Sequence, residues 1–217
     1  MAVESITDAQ LVAHVVAGHV PAFTILMRRY NRRLFRVIRG VLPDDTEAED
    51  ACQEAWLRAY EHLAGLQRGG AFATWLCRIG LRCALERMPR HHTHASLDEL
   101  DRLPIAPVLD GPELEVDHRR IAEVLELAID RLLPAQRLVV LLRDVEQLTT
   151  GEVAEVLGVS EENVRVRLHR AHTRLREQLS DAWDGELVAT FAFDGERCDR
   201  LVGAVVRRIH SVQRQSA

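Results

Sequence analysis

The sequence predicts an all-α protein. We expect two small helical domains joined by a flexible linker, the second a helix-turn-helix domain of the winged-helix-like or four-helix type, then a short C-terminal extension. Ala, Leu, Val, Arg and Glu dominate the 217 residues and aromatic residues make up 5%, which favours helices over sheets. Apolar residues recur at helical spacing on both sides of residues 89–112, and four of the seven prolines interrupt the pattern there, as in a linker.

Eight helices are predicted in the two domains, bounded mostly by helix-breaking residues. Asp8 is the predicted N-cap of the first helix, and Pro43 and Pro89 end the second and the fourth. The predicted spans are 8–18, 21–40, 45–63 and 71–88 in the first domain, and 113–132, 134–146, 149–157 and 160–180 in the second. In the extension, the segment LVATFAF predicts a short strand and residues 196–210 predict an amphipathic helix.

Composition excludes several classes of protein. Hydrophobic residues make up 47% of the chain, enough for a packed core, so wholesale disorder is excluded. No apolar run approaches the ~20 residues that a membrane span needs, and the N-terminus MAVESITDAQ lacks the features of a secretory signal. We therefore expect a cytoplasmic protein with no membrane insertion.

Metal-binding side chains are present without a recognisable metal motif. The cysteines form no CxxC pair and fit no zinc spacing: Cys52, Cys77, Cys83 and Cys198. They are interpreted as reduced core residues, with redox or metal sensing as the alternative. Three linker histidines are interpreted as solvated, with metal binding as the alternative: His91, His92 and His94. No cofactor and no metal site are predicted.

Charge is concentrated in three segments of a chain whose net charge is −5. Residues 22–43 contain six arginines and no acid, residues 44–54 contain six acids and no base, and residues 163–176 contain five arginines and no acid. A basic helix of this kind either contacts phosphates or a partner protein, or is simply a solvated face.

Residues 149–179 have the pattern of a helix-turn-helix. Thr149 or Thr150 caps a short helix, Gly158 supplies the tight turn, and Ser160 caps the second helix. Such a helix can enter the major groove of DNA with its N-terminal half. The candidate DNA contacts on it are Glu162, Asn163, Arg165, Val166, Arg167, His169, Arg170 and Arg174. The alternative is an ordinary charged helix in a bundle.

Two blocks of sequence resemble the extracytoplasmic-function (ECF) group of bacterial sigma factors. LPAQRLVVLLRDVEQLTTGEVAEVLGVSEENVRVRLHRA is similar to the family's region 4. AFTILMRRYNRRLFRVIRG, DTEAEDACQEAWLRAYEHL and AFATWLCRIGLRCALERM are similar to its region 2. The resemblance implies region 2 over residues 1–90, a linker over 91–112, region 4 over 113–180 and an extension of unclear role over 181–217.

The resemblance also implies a function in transcription initiation, often in a stress response, and no enzymatic activity. A member of this family binds core RNA polymerase at the β′ clamp helices and the β flap. Its region 4 then binds the upstream (−35) promoter element as duplex, and its region 2 binds and helps to melt the downstream (−10) element. An anti-sigma factor is a possible further partner.

The same resemblance assigns residues of region 2 to two contacts. The acidic helix is the polymerase-binding segment, with Asp50, Gln53, Glu54 and Trp56 as the chosen contacts; the alternative is a solvated acidic face with Trp56 in the core. The −10 contacts are Phe72, Trp75, Arg78, Arg82, Arg87 and Arg90, although the spacing of Phe72, Trp75 and Ile79 also fits a buried stripe. Arg82 and Glu86 depart from the residues common in the family, which leaves the −10 preference open.

Alternative interpretations remain for the role of the extension and for the function of the whole protein. The apolar face of residues 196–210 is expected to pack on region 4, with regulation through Cys198 or through gating of DNA access as the other interpretation. A stand-alone LuxR-type regulator would explain residues 149–179 but not the first block. An enzyme is disfavoured because the sequence contains no nucleophile–base pair and no phosphate-binding loop.

Overall fold

The computed structural model describes residues 6–66, 71–88, 118–179 and 195–215. Nine α-helices lie within these ranges: α1 (Asp8–Val16), α2 (Val20–Arg39), α3 (Asp45–His62), α4 (Phe72–Arg87), α5 (His118–Asp130), α6 (Pro134–Val140), α7 (Thr150–Leu157), α8 (Glu161–Leu179) and α9 (Gly195–Gln215). A 3-10 turn follows α3 at Leu63–Gly65, and α6 continues as a π-helical turn over Leu141–Val145. The prediction of an all-α protein is confirmed.

The chain forms two compact units. The first consists of Met1–Ile38, Asp44–Arg87 and Phe193–Ala217, and the second of Arg39–Pro43 and Met88–Ala192. Helix α9 therefore belongs with the N-terminal helices, and it packs on α3. The expectation that the extension packs on region 4 is wrong. An amphipathic pattern shows that one helix face is buried, but it does not show which surface buries it.

Aromatic side chains fill the centre of the first unit. Trp56 of α3 is 0% exposed and meets the ring of Phe23 edge-on, with ring centroids 5.5 Å apart. Phe72 of α4 also packs on Trp56, in a stacked orientation with centroids 6.4 Å apart. Edge-on and offset-stacked contacts are the favoured arrangements of aromatic rings. These three rings tie α2, α3 and α4 together.

Helix α2 divides its surface between core and solvent, as its sequence pattern predicts. Apolar side chains at helical spacing are buried in the unit, including Leu26, Leu34 and Ile38. Arg28 and Arg29 lie on the exposed side, where they pair with Asp199 and Asp8. This part of the basic segment is thus engaged with the protein itself.

The second unit is built around α6, in which every residue is buried. Arg137 lies in its interior at 2% exposure and donates to backbone carbonyls at the end of α5: Ile129, Asp130 and Leu132. The last carbonyls of a helix lack partners within the helix. The guanidinium therefore satisfies the C-terminus of α5 and neutralises part of its negative dipole.

Some predicted features lie outside the described residues. These are the linker over 91–112, its three histidines, the strand proposed for LVATFAF, and Arg90. In the described part of the chain, no helix is long and apolar enough to cross a membrane.

Candidate nucleic-acid and protein interfaces

Local hydrogen bonds explain why residues 149–179 form two helices with a sharp turn between them. Thr149 and Glu152 form a capping box at the start of α7: the Thr149 amide donates to Glu152 at 2.8 Å, and the Glu152 amide donates to the Thr149 hydroxyl at 3.3 Å. The Ser160 hydroxyl accepts from the Asn163 amide at 3.2 Å at the start of α8. Gly158 ends α7 in the left-handed conformation, with φ of 65°.

Replacing Gly158 with alanine should lower the stability of the second unit by about 1–2 kcal/mol, because a Cβ is strained in a left-handed backbone. Gly158→Asn is the matched control and should cost less, since asparagine tolerates this conformation better. Thermal unfolding of both variants measures the difference. Equal stability of Gly158→Ala and the original chain would contradict this account, since open space surrounds the added Cβ and only the backbone opposes it.

Helix α8 exposes most of the residues predicted to contact DNA. Glu162, Arg165, Val166, His169 and Arg170 are exposed, while Asn163 and Arg174 are partly exposed. Val166 is unusual as a large apolar residue that is 38% exposed. An exposed aliphatic side chain on such a helix suits contact with a thymine methyl group.

Arg167 does not belong to this exposed set. It is 3% exposed and lies on the inner side of α8 with Val164, Ala171 and Leu175. These positions recur every three or four residues and form the stripe that packs on the rest of the unit. The assignment of Arg167 as a DNA contact is therefore withdrawn, because its burial prevents contact with a base or a phosphate.

Arg165 is held on the surface by acids of its own helix. Its guanidinium lies 2.7 Å from the Glu161 carboxylate and 3.5 Å from that of Glu162. Exposed pairs within a helix contribute only about 0.3–0.5 kcal/mol. Arg165 can thus leave them at little cost for a guanine edge or a phosphate.

A hydrogen bond joins the middle of α8 to the π-helical turn that follows α6. His172 Nε2 lies 2.7 Å from the Asp144 carboxylate, and Asp144 belongs to the π-helical turn that continues α6. Farther along, an open cleft lies between α8 and the start of α6, with Arg170, Arg174 and Gln136 in its walls. The exposed arginines of α8 are thus presented by a helix fixed at its capped start and at its middle.

Helix α4 holds the residues predicted to contact the second DNA element. Arg78 and Arg82 are exposed and Trp75 is partly exposed. Phe72 is 4% exposed, with its ring packed against Tyr30 at 5.3 Å and against Trp56. The assignment of Phe72 as a DNA contact is withdrawn, because its ring forms part of the core.

Helix α3 contains the four residues predicted to bind a partner protein, and the structure shows that only some of them are accessible. Asp50 is exposed, and Gln53 and Glu54 are partly exposed. Trp56 is in the core, so it is removed from the set of contacts. Trp56 is buried with Ala51, Ala55 and Ala59 on the inner side of α3, as the alternative interpretation of this helix proposed, whereas Asp50 and Glu54 lie on another side.

Ion pairs join α3 to α4 beside this surface. Glu54 lies 2.5 Å from Arg58 and 3.2 Å from Arg87, and Arg58 lies 2.7 Å from Glu86. The hydrogen bond to Glu86 raises the pKa of Arg58. Arg87, predicted as a DNA contact, and Glu54, predicted as a protein contact, thus hold each other in the unbound chain.

All four cysteines are buried free thiols. Burial raises the pKa of the Cys83 thiol to about 11 and raises the pKa of the Cys52 thiol as well. Both groups therefore stay protonated at neutral pH, which disfavours reaction with oxidants or metals. The described residues contain no cluster of His, Cys, Asp and Glu side chains able to hold a metal.

The chain matches two known family models and is similar to several known proteins. Residues 26–93 match the model of Sigma-70 region 2, and residues 122–175 match that of Sigma-70, region 4. The chain is 32% identical to the ECF RNA polymerase sigma factor SigM of Mycobacterium tuberculosis, over 80% of this chain and 85% of that protein. It is 33% identical to the RNA polymerase sigma-E factor of Streptomyces avermitilis, over 83% of this chain and 97% of that protein.

Two solved structures share the fold. One is the structure of CnrH in complex with the cytosolic domain of CnrY, with a TM-score of 0.57 and 26% identity, covering 81% of this chain and 99% of the matched chain. The other is the sigma factor RpoE in complex with the anti-sigma factor NepR from Bartonella quintana, with a TM-score of 0.56 and 19% identity. It covers 73% of this chain and 95% of that chain, and its identity is low enough that it supports the fold alone.

Proposed function

The chain belongs to the extracytoplasmic-function family of RNA polymerase sigma factors, and from this premise we propose which of its surfaces carry each step of initiation. It is a non-enzymatic transcription factor that binds core RNA polymerase and directs it to specific promoters. Its region 4 binds the −35 element as duplex and its region 2 binds the −10 element. We further propose that it acts in the cytoplasm, where polymerase and chromosome are found.

The observation that carries the region 4 proposal is the capped helix-turn-helix with an exposed basic second helix. Arg165 and Arg170 are the exposed arginines in the half of α8 that would enter the major groove. Arginine pairs in bidentate fashion with guanine and also neutralises phosphates. Glu162, Asn163, Val166 and His169 complete the base-reading face, and Arg174 is a phosphate contact beside it.

In region 2, the exposed face of α4 is the proposed contact with the −10 element. Arg78 and Arg82 suit the backbone of a melted strand, and the partly exposed ring of Trp75 suits stacking with an unpaired base. Arg87 joins them if it leaves Glu54, and Arg90 remains proposed on the resemblance alone.

The exposed acidic face of α3 is the proposed site of polymerase docking. Asp50 is the most accessible residue of this face, and Gln53 and Glu54 lie one helical turn farther along α3. Negative charge on α3 suits a basic partner, because complementary charge accelerates encounter and selects the partner. The β′ clamp helices are the partner proposed for this face, and the β flap is proposed as the partner of region 4.

Asp50→Arg should weaken binding to core RNA polymerase by about 10-fold, because like charges facing each other in an interface repel. Binding is measured by fluorescence anisotropy of the labelled chain titrated with a fragment of core enzyme that contains the β′ clamp helices, so that a contact of region 4 with the β flap does not contribute. Glu177→Arg makes the same change of net charge on an exposed acid of the second unit and serves as the control. Equal weakening by both variants would mean that net charge, rather than a docking face on α3, determines the affinity.

An anti-sigma factor is a further proposed partner. Both solved structures described above are complexes with a second protein, and one of those proteins is named as an anti-sigma factor. A protein that inhibits this chain must cover the docking face of α3, the DNA-binding face of α8, or both.

A further inference from the structure

Helix α9 contacts the helix proposed to bind polymerase. Its apolar face is buried in the first unit through Cys198, Leu201, Val202, Val205 and Ile209. Arg197 at its start lies 2.8 Å from Glu49 and 3.1 Å from Asp45. Gln213 at its end donates to the hydroxyl of Tyr60 at 2.9 Å. Because α9 meets both the start and the end of α3 in this order, the two helices run parallel.

A second group of contacts attaches α9 to α2. Asp199 lies 2.6 Å from Arg28. The amide of Asn31, a buried polar side chain, donates to the Cys198 sulfur at 3.0 Å. The Arg197 guanidinium also lies over the ring of Phe35, 4.7 Å from its centroid. Helix α9 is thus seated between α2 and α3 by apolar packing and by polar contacts at its edges.

The position of α9 brings it to the border of the docking face. Asp45, Glu49, Gln53 and Tyr60 follow one another at spacings of about one or two turns, so they form one stripe along α3. Three of them contact α9, and Gln53 forms one wall of a groove whose other wall is the C-terminal half of α9. The flank of α3 that bears Gln53 is therefore bordered by α9, which leaves only an open groove between them.

The positive charge of α9 also opposes the approach of a basic partner to α3. Helix α9 contains five arginines and two acids, and Arg207, Arg208 and Arg214 all line the groove beside Gln53. The seated helix pairs with two acids of α3 through Arg197 and places these three arginines beside Gln53. A basic partner that approaches α3 meets fewer free carboxylates and an arginine-rich neighbour, both of which oppose binding.

We propose that α9 competes in cis with core RNA polymerase for the acidic surface of α3, so that polymerase docks fully only after α9 leaves. The proposal rests on the proposed docking of polymerase on α3. In a two-state equilibrium of this kind, the apparent affinity for polymerase falls with the fraction of chains in which α9 is released. The C-terminal extension thereby sets how readily this sigma factor enters the holoenzyme.

Hydrogen exchange of the full chain, free and saturated with core RNA polymerase, tests the competition directly. Amides of α9 should be protected in the free chain and should exchange at least about 10-fold faster in the complex, because release exposes their hydrogen bonds. Retained or increased protection of α9 in the complex would overturn the proposal, since helix and polymerase would then be bound together. Absence of any association with polymerase would instead overturn the docking assignment on which it depends.

Variants of the α9 contact provide the matched test. Arg197→Glu places like charges opposite Asp45 and Glu49 and should raise the affinity for core enzyme about 5-fold by increasing the released fraction. Adding Glu49→Arg to it restores an ion pair and should return the hydrogen exchange of the α9 amides in the free chain toward that of the original chain. Arg200→Glu makes the same charge change on the exposed side of α9 and should alter the affinity by less than about 2-fold.

A second variant weakens the contact of α9 with the rest of the first unit more strongly. Val205 is fully buried, and Val205→Asp places a carboxylate in the apolar contact of α9. Faster exchange of α9 in Arg197→Glu or Val205→Asp, with unchanged exchange in α4, shows that the helix is released while the unit stays folded. Release without a gain in affinity for core enzyme overturns the proposal.

Discussion

Replacing Arg165 and Arg170 together with alanine is expected to lower the affinity of the holoenzyme for the −35 element by about 100-fold, because each well-formed arginine contact with a base contributes about 1–3 kcal/mol. Both side chains are exposed on α8, so their removal leaves the core of the second unit intact. The slope of log affinity against log salt should also fall by up to about 2, if both also neutralise phosphates. Binding to a duplex −35 fragment, measured across a salt series, reports both effects.

The control for this prediction lies on the same helix. Arg176 is exposed near the C-terminal end of α8, away from the half that enters the groove, so Arg176→Ala should weaken binding much less than Arg170→Ala. Association of the double variant with core enzyme should remain unchanged. Loss of DNA binding and core binding in equal measure would mean that the variant is misfolded or that α8 serves another role.

Replacing Trp56 with alanine is expected to destabilise the first unit by about 3–5 kcal/mol, the usual cost of removing a large buried aromatic side chain. The ring packs against both Phe23 and Phe72 and is fully buried, so its loss leaves a cavity where α2, α3 and α4 meet. Native-state hydrogen exchange of the α2 and α3 amides measures the effect on this unit separately from the other one.

A conservative variant distinguishes packing from contact. In the structure, Nε1 of Trp56 has no hydrogen-bond partner among the described residues, so phenylalanine removes a buried donor as well as part of the ring. Trp56→Phe should therefore cost less than about 2 kcal/mol, since relief of the unpaired N–H offsets part of the lost packing. Core enzyme should bind the folded fraction of either variant normally. A variant of unchanged stability with weakened core binding would return Trp56 to the contact set.

Local signals in the sequence were sufficient to predict most of the described helices and the turn of the helix-turn-helix. Helical periodicity and breakers such as Pro43 placed the described helices within a few residues, because both act through the backbone of neighbouring residues. Gly158 and Ser160 marked the turn of the helix-turn-helix for the same reason. The exposure of Arg165 and Arg170 likewise follows from their position opposite an apolar stripe. The helix-turn-helix pattern indicated DNA binding, and family resemblance then supplied the binding of core RNA polymerase, which none of these patterns contains.

Only the tertiary structure decided which side chains the core keeps and where the last helix lies. Trp56, Phe72 and Arg167 each have the chemistry of a contact residue, but neighbouring helices enclose them. Burial depends on elements distant in sequence, so periodicity alone cannot assign it when both sides of a helix carry suitable residues. The same limit applies to α9: its sequence predicted one buried face, but the apolar surface of the first unit, with polar partners on α2 and α3 at its edges, decided that this face lies on region 2.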